Sequence, residues 1–195
     1  MNLFLDICTG LGLGAATGIR PFMPTVLVGI FAMADWGIDF DGTGFAFLES
    51  PIWIVAVAAM LILSFVLARR DEPGAVDQAI AFLSGLLGAL LFAGTLADHG
   101  RETAGWVLLG VLAGAAAAWL GNAAVRDLAA RTAKRLDDAA RRALPAWFEG
   151  VALLLAGLSI ALPPVSLVAL PFLAWLLLGG RRREGGKYAG LRILR

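Results

Sequence analysis

The sequence is poor in cysteine, histidine and charge: it has one cysteine (Cys8), one histidine (His99), and only 16% Asp, Glu, Lys and Arg in 195 residues. A single cysteine excludes an internal disulfide and any multi-cysteine metal site. A lone histidine leaves no second imidazole for a metal site or a relay. Sixteen basic against fifteen acidic residues give a net charge of +1, so no global field steers the chain toward nucleic acid. There is no phosphate-binding glycine motif, nucleophile elbow or zinc spacing. The sequence therefore calls for no cofactor, no metal and no catalytic residue, and reads as a non-enzyme. No Lys or Arg precedes Leu3 and Asp6 interrupts the first apolar stretch, so a cleaved leader is not expected.

What is abundant is apolar: 59% of residues are hydrophobic and the mean hydropathy is +0.82. Ordinary soluble domains carry about a quarter charged residues. The composition calls for an all-α membrane protein, and charge-free intervals divide it, since one bilayer-crossing helix needs roughly 20 apolar residues. Residues 50–68, 78–97 and 103–125 are three such intervals. The uncharged run from Gly150 to Gly180 is too long for one helix, and Pro163-Pro164 splits it into arms expected at about 144–162 and 165–180. In residues 2–34 only Asp6 and Arg20 are charged, and Pro21 and Pro24 interrupt the run. One reading is a spanning helix from about Leu3 to Met23, broken near Arg20-Pro21 and followed by a short interfacial piece. The other is a kinked helix over about 9–31 with Arg20 near mid-membrane.

About six transmembrane helices result, forming a single membrane domain over 1–195. With the carboxyl-terminal tail in the cytoplasm, fourteen basic residues fall on that side, in 69–70, 126–142 and 181–195, and only Arg101 falls opposite. This puts both chain ends in the cytoplasm of a bacterial inner membrane. Residues 126–143 have the spacing of a basic amphipathic helix between spans four and five, either lying on anionic headgroups or extending the fourth span. Together with the 181–195 tail it is the candidate surface for anionic lipid, alongside a possible homo-oligomer. Weak internal matches (Gly10, Gly14 with Gly110, Gly114; Pro51, Trp53 with Pro145, Trp147) suggest halves 1–97 and 98–180. With three spans each, those halves would be inverted, an arrangement that places transporter sites at the repeat interface.

Within so apolar a chain the interior polar residues stand out. Asp6, Asp77, Glu149 and Asn122 are expected just inside the cytoplasmic ends of their spans, with Arg126 or Arg69 as partners, because ionisable groups in lipid usually face a cavity or one another. Arg20, between two apolar stretches and beside two prolines, fits a broken-helix anion site or a headgroup-seeking side chain. Gly10, Gly14 and Gly18 at four-residue spacing, and Gly110 and Gly114, form small-residue faces suited to close helix crossing. Asp39-Phe-Asp41-Gly-Thr43-Gly44 imitates the start of a calcium loop, but its twelfth position is Ser50, and a plain turn is the expectation.

The segment G-L-G-L-G-A-A-T-G-I-R-P-F (Gly10 to Phe22) and the terminal K-Y-A-G-L-R (Lys187 to Arg192) resemble the bacterial membrane family catalogued as domain of unknown function 4126. That family often has an acidic residue late in its second helix and an Asp-Lys-x-Pro turn, where this chain has Ser64 and Arg70-Asp71-Glu72-Pro73. The resemblance implies a multi-span membrane protein and no particular reaction. Two functions follow: a transporter or channel for a small or anionic solute using the broken first helix, or a non-catalytic scaffold acting through its basic helix and tail.

Overall fold

The computed structural model describes residues 2–67 and 75–189, with side chains at 75, 76, 138, 142 and 180–189 outside that description. Among the described residues seven helices follow one another: α1 (Leu3–Ile19), α2 (Phe22–Met33), α3 (Pro51–Leu67), α4 (Ala75–Ala97), α5 (Ala104–Ala133), α6 (Asp138–Ala161) and α7 (Ser166–Ala189). Short 3-10 turns, Ala46–Glu49 and Pro163–Val165, precede α3 and α7, and there is no strand among the described residues. Among the described residues three helices are long and apolar enough to cross a membrane, over Asp77–Ala97, Ala104–Ala133 and Ala139–Ala161. The apolar stretches of α1, α2, α3 and α7 are shorter. Large apolar side chains such as Ile52, Trp147 and Val168 stand more than two-thirds exposed on the outer faces. A surface so apolar suits a hydrocarbon solvent.

Directions follow from which residues meet. Gly14 faces Gly114 and Gly18 faces Ala118, so α1 and α5 run parallel. Gly88 meets both Thr17 and Gly114, and Gly110 meets Ala93, so α4 runs antiparallel to both. These three helices pack backbone to backbone. A Cβ on Gly110 would lie 2.8 Å from Ala93 Cα, one on Gly14 would lie 3.0 Å from the Gly114 carbonyl oxygen, and one on Gly18 would overlap the Ala118 carbonyl. A Cβ on Gly114 would overlap the Gly88 carbonyl, and one on Gly10 the Phe92 ring. Dispersion is the main source of helix association where the surroundings are as apolar as the side chains, and it needs such close approach. Beside this trio, Leu13, Val28, Phe40, Leu48 and Leu91 tie α1, α2 and α4 to the 35–50 loop, while Ile19, Ala124, Ala152, Leu173 and Leu177 tie α1 and α5 to α6 and α7.

The helix ends follow local rules. Arg20 is extended (φ −150°, ψ 125°), as a residue before proline prefers. Pro21 then takes helical angles and Pro24 falls in the first turn of α2, where a missing N–H costs nothing. Thr25 Oγ1 donates to the Pro21 carbonyl at 2.7 Å. The break expected near Arg20-Pro21 is present, and the residues after it form a second helix that returns alongside α1. The Pro163-Pro164 hairpin also lies where expected, between α6 and α7.

Against the six spans expected, three of the seven described helices have spanning length. Other expectations are corrected. Residues 126–143 are not one helix: α5 ends at Ala133, and the Asp137 carboxylate accepts from the Ala140 N–H at 2.8 Å, capping a new helix that runs through Pro145. The aligned glycines of the supposed inverted halves lie on two parallel helices, so their likeness reflects one shared crossing rather than inversion. Ser166 at the start of α7 lies beside Gly12, and Leu176 further along accepts from Arg131 near the end of α5, so α7 runs with α1 and α5, and α1 begins at one end of the bundle while α7 finishes at the other. The basic 181–195 tail lies outside the described side chains, as do Arg69 and Arg70.

Candidate functional site

At the end of the bundle where α1 stops, a cavity of about 280 Å³ opens between α1, α4, α5 and α6. Ile19, Arg20, Asp77, Asn122, Arg126 and Phe148 are among its walls. Arg20 reaches it because the extended residue before Pro21 swings the side chain off the helix axis toward α6. There Arg20 Nε lies 3.8 Å from Glu149 Oε1. Glu149 is buried, and neither its Oε2 nor Arg20 Nε has a hydrogen-bond partner. The pair is therefore electrostatic and loose, with donor and acceptor capacity left unused in a site of limited water access. Across the cavity Arg126 Nη2 donates to the Asp77 carbonyl at 2.5 Å, joining α5 to α4. Arg141 also lines it. The guanidiniums of Arg20 and Arg126 and the carboxylates of Asp77 and Glu149 thus stand around one cavity.

Four of the five polar residues singled out by the sequence, Arg20, Asp77, Glu149 and Asn122, thus gather at one end. Asp6 does not join them. It lies at the start of α1, roughly 20 Å away at 1.5 Å per residue. There its fully buried carboxylate accepts from Arg101 Nη1, a partner 95 residues along the chain. His99 Nδ1 stands 3.6 Å from Asp6 Oδ1 and 3.5 Å from Asp98 Oδ2. The expectation that Asp6 shares an end with Asp77 and Glu149 fails because α1 runs parallel to α5. Arg101, expected only as a lone basic residue on the far side, is the partner of Asp6 that the sequence did not reveal. No local spacing signals a pair so far apart.

The Asp6 end also carries the 35–50 loop. Glu102 Oε1 accepts from the Gly44 N–H at 2.9 Å, linking that loop to the start of α5. The Asp39, Asp41 and Glu49 carboxylates converge within 4.8 Å. They are engaged in local turns: Asp39 Oδ1 accepts from Asp41 N–H at 2.8 Å, and Glu49 Oε2 from Phe40 N–H at 3.2 Å. Desolvation raises the Glu49 pKa above the ordinary carboxylate value, and Asp41 and Asp39 add to the rise. Burial likewise raises Asp98, partly offset by His99. Ser50, the twelfth position of the imitated calcium loop, instead donates to the Phe47 carbonyl at 2.8 Å.

A family model described as domain of unknown function (DUF4126) matches residues 7–183. No curated protein and no solved structure matches the chain.

Proposed function

We propose, for a chain that belongs to the DUF4126 family of domains of unknown function, a membrane carrier that binds a small anionic solute at the Arg20 cavity. The observation that carries this reading is the loose Arg20–Glu149 pair at a helix break inside that cavity. An anion entering there can take the unused Arg20 donor and lie beside the Arg126 guanidinium, while Glu149 holds Arg20 in place when the site is empty. Orientation follows from the basic residues. Arg126, Arg131, Lys134, Arg135 and Arg141 cluster at the cavity end, making it the cytoplasmic end of an inner-membrane protein, with α1 beginning at the outer end. The 17-residue apolar stretches Leu3–Ile19, Pro51–Leu67 and Pro163–Gly179 cross as members of the bundle, since each rises about 26 Å against a hydrocarbon layer of about 30 Å, while the 12 residues of α2 rise about 18 Å.

In this arrangement the cavity faces inward and the outer end is shut, by the glycine-packed α1–α4–α5 trio and the Asp6–Arg101 pair. That is one half of an alternating cycle. The scaffold reading draws less support: residues 126–143 divide between two bundle helices, and Arg131 donates to the Leu176 carbonyl of α7 at 3.3 Å. The test is uptake of labelled carboxylates, phosphate and halides by proteoliposomes containing the full chain. Uptake of at least one anion, lost in Arg20→Gln and in Glu149→Gln, supports the carrier. Indifference of every flux to both substitutions refutes it.

A further inference from the structure

Beside the polar cavity lies a second hollow of about 360 Å³ that is almost entirely apolar. Phe22, Met60, Leu63, Leu67, Ile80 and Leu83 line it, and Ile80 belongs to both hollows. It lies between α3 and α4, which among the described residues meet around Phe22 through Val57 and Leu61 on α3 and Leu83 and Leu87 on α4 and leave the rest of their seam unfilled. Among the described residues α3 rests chiefly on α2 and on the Ala46–Glu49 turn, so the α3–α4 seam opens sideways. Phe22 stands at the seam two residues after Arg20, so the break that turns Arg20 into the cavity also sets the groove's inner wall. On the membrane side Leu63 is 54% exposed and Met60 47% exposed, which leaves the groove accessible from the hydrocarbon.

We infer that the ligand of this site is an anionic membrane lipid, its headgroup phosphate at Arg20 and Arg126 and one acyl chain in the α3–α4 groove. The inference rests on the anion-binding reading and specifies its substrate class. Two complementary surfaces meet at Ile80: one polar and carrying the Arg20 and Arg126 guanidiniums, the other apolar and open to lipid. A small inorganic anion uses only the first, and an uncharged lipid only the second. An anionic amphiphile satisfies both, entering sideways without crossing the shut outer end. Arg126 is already directed across the cavity by its hydrogen bond to the Asp77 carbonyl, so a phosphate between it and Arg20 meets two guanidiniums from different helices.

The experiment reconstitutes the full chain in vesicles of equal phosphatidylglycerol and phosphatidylcholine and counts retained lipid by native mass spectrometry. A chainless probe, methylphosphonate, is titrated in parallel by calorimetry. The wild type is expected to retain phosphatidylglycerol about tenfold over phosphatidylcholine, the discrimination of one charge-assisted contact. Arg20→Gln and Arg126→Gln are expected to abolish that preference and weaken methylphosphonate. Leu83→Trp, which fills the groove from α4, should expel lipid of either headgroup while methylphosphonate still binds. Met60→Trp does the same from the exposed face of α3, so a folding defect in one variant leaves the other decisive. Equal retention of phosphatidylglycerol by the wild type and all four variants identifies surface lipid only and overturns the inference. Methylphosphonate binding that depends on Arg20, with no lipid retained, overturns the lipid and leaves the anion site standing. Independence of both ligands from Arg20 removes the two together.

Discussion

Removing the positive partner of Asp6 should be among the most damaging conservative changes in the protein. The Asp6 side chain is completely buried, its Oδ2 is held by Arg101, and its Oδ1 has no hydrogen bond, only His99 Nδ1 at 3.6 Å. Arg101→Met keeps most of the side-chain volume but leaves that carboxylate uncompensated. Breaking a buried pair from one side costs about 3–5 kcal/mol. The lower end applies, because the Arg101 side chain is 22% exposed and His99 supplies partial compensation. A loss of about 3 kcal/mol shifts the folding equilibrium roughly a hundredfold. Asp6→Leu combined with Arg101→Met should recover most of the loss, since an apolar replacement of both partners removes the stranded charge. The assay is denaturant unfolding in mild detergent, read through Trp106, whose ring centre lies 6.0 Å from Arg101 Cζ. A single substitution costing less than about 1 kcal/mol, or a double variant as unstable as the two singles summed, refutes the account of Asp6 as a charge that depends on Arg101.

Gly114→Val should prevent correct assembly of α4 on α5, because the added carbons fall on the Gly88 carbonyl; a cost at or above the usual 1–3 kcal/mol of overpacking is expected in the same unfolding assay. Gly150→Ala, where nothing lies within 4 Å, should instead stabilise α6 by up to about 1 kcal/mol. Asp137→Ala removes the α6 cap at a cost of about 1 kcal/mol, read as faster proteolysis within 134–137, and Asp137→Ser should restore resistance. The 35–50 loop should loosen as pH rises. Burial raises the folded-state pKa values of Glu49 and Asp98 above their ordinary values of 4.5 and 3.8. Their protonated forms thus favour the folded loop, a contribution complete below those ordinary values and lost as pH climbs through the raised ones. Amide-exchange protection of the loop, corrected for intrinsic rates, should fall across that window, with a smaller fall in Glu49→Gln.

Helix positions were legible wherever charge or proline bounded an apolar run. Arg20-Pro21 and Pro163-Pro164 each break the chain at the residue expected, because proline acts on its immediate neighbour. Direction was not legible in the same way. One unrecognised helix, α2, reverses the sense of α1, and that moved Asp6 to the opposite end from Asp77 and Glu149. The positive-inside pattern could not expose the error, since α1 and α2 contribute Arg20 as their only basic residue. The glycine repeats pointed to close contact but not to its geometry: α1 and α5 each carry Gly at four-residue spacing whether they cross parallel or antiparallel. Arg20, Asp77, Asn122 and Glu149 were found because ionisable and amide groups are scarce in this chain. The groove beside them was invisible, because its walls are ordinary leucine, methionine and phenylalanine, and what makes it a groove is the part of the α3–α4 seam left unfilled beside their shared cluster at Phe22.

In the proposed carrier, that sparsely filled seam bears on how access alternates. The α1–α4–α5 trio meets through backbone atoms, and a sliding motion there would have to pass Gly88, Gly114 and Ala118 over one another without room for a methyl group. Motion belongs instead where packing is by flexible side chains. The α2–α3 pair joins the rest through Phe22, Val57 and Leu87, with the partly buried Val26, Trp53, Leu61 and Leu83 around them, and through the core residues Val28 and Ala32 on α2. Its hinge to α1 is the extended Arg20 before Pro21, where one residue can absorb a change of ψ without breaking a helical hydrogen bond. The same residue carries the guanidinium that faces Glu149. A ligand that draws Arg20 away from Glu149 therefore acts directly on the hinge, and the binding energy need not travel through the rigid trio to reach the moving part.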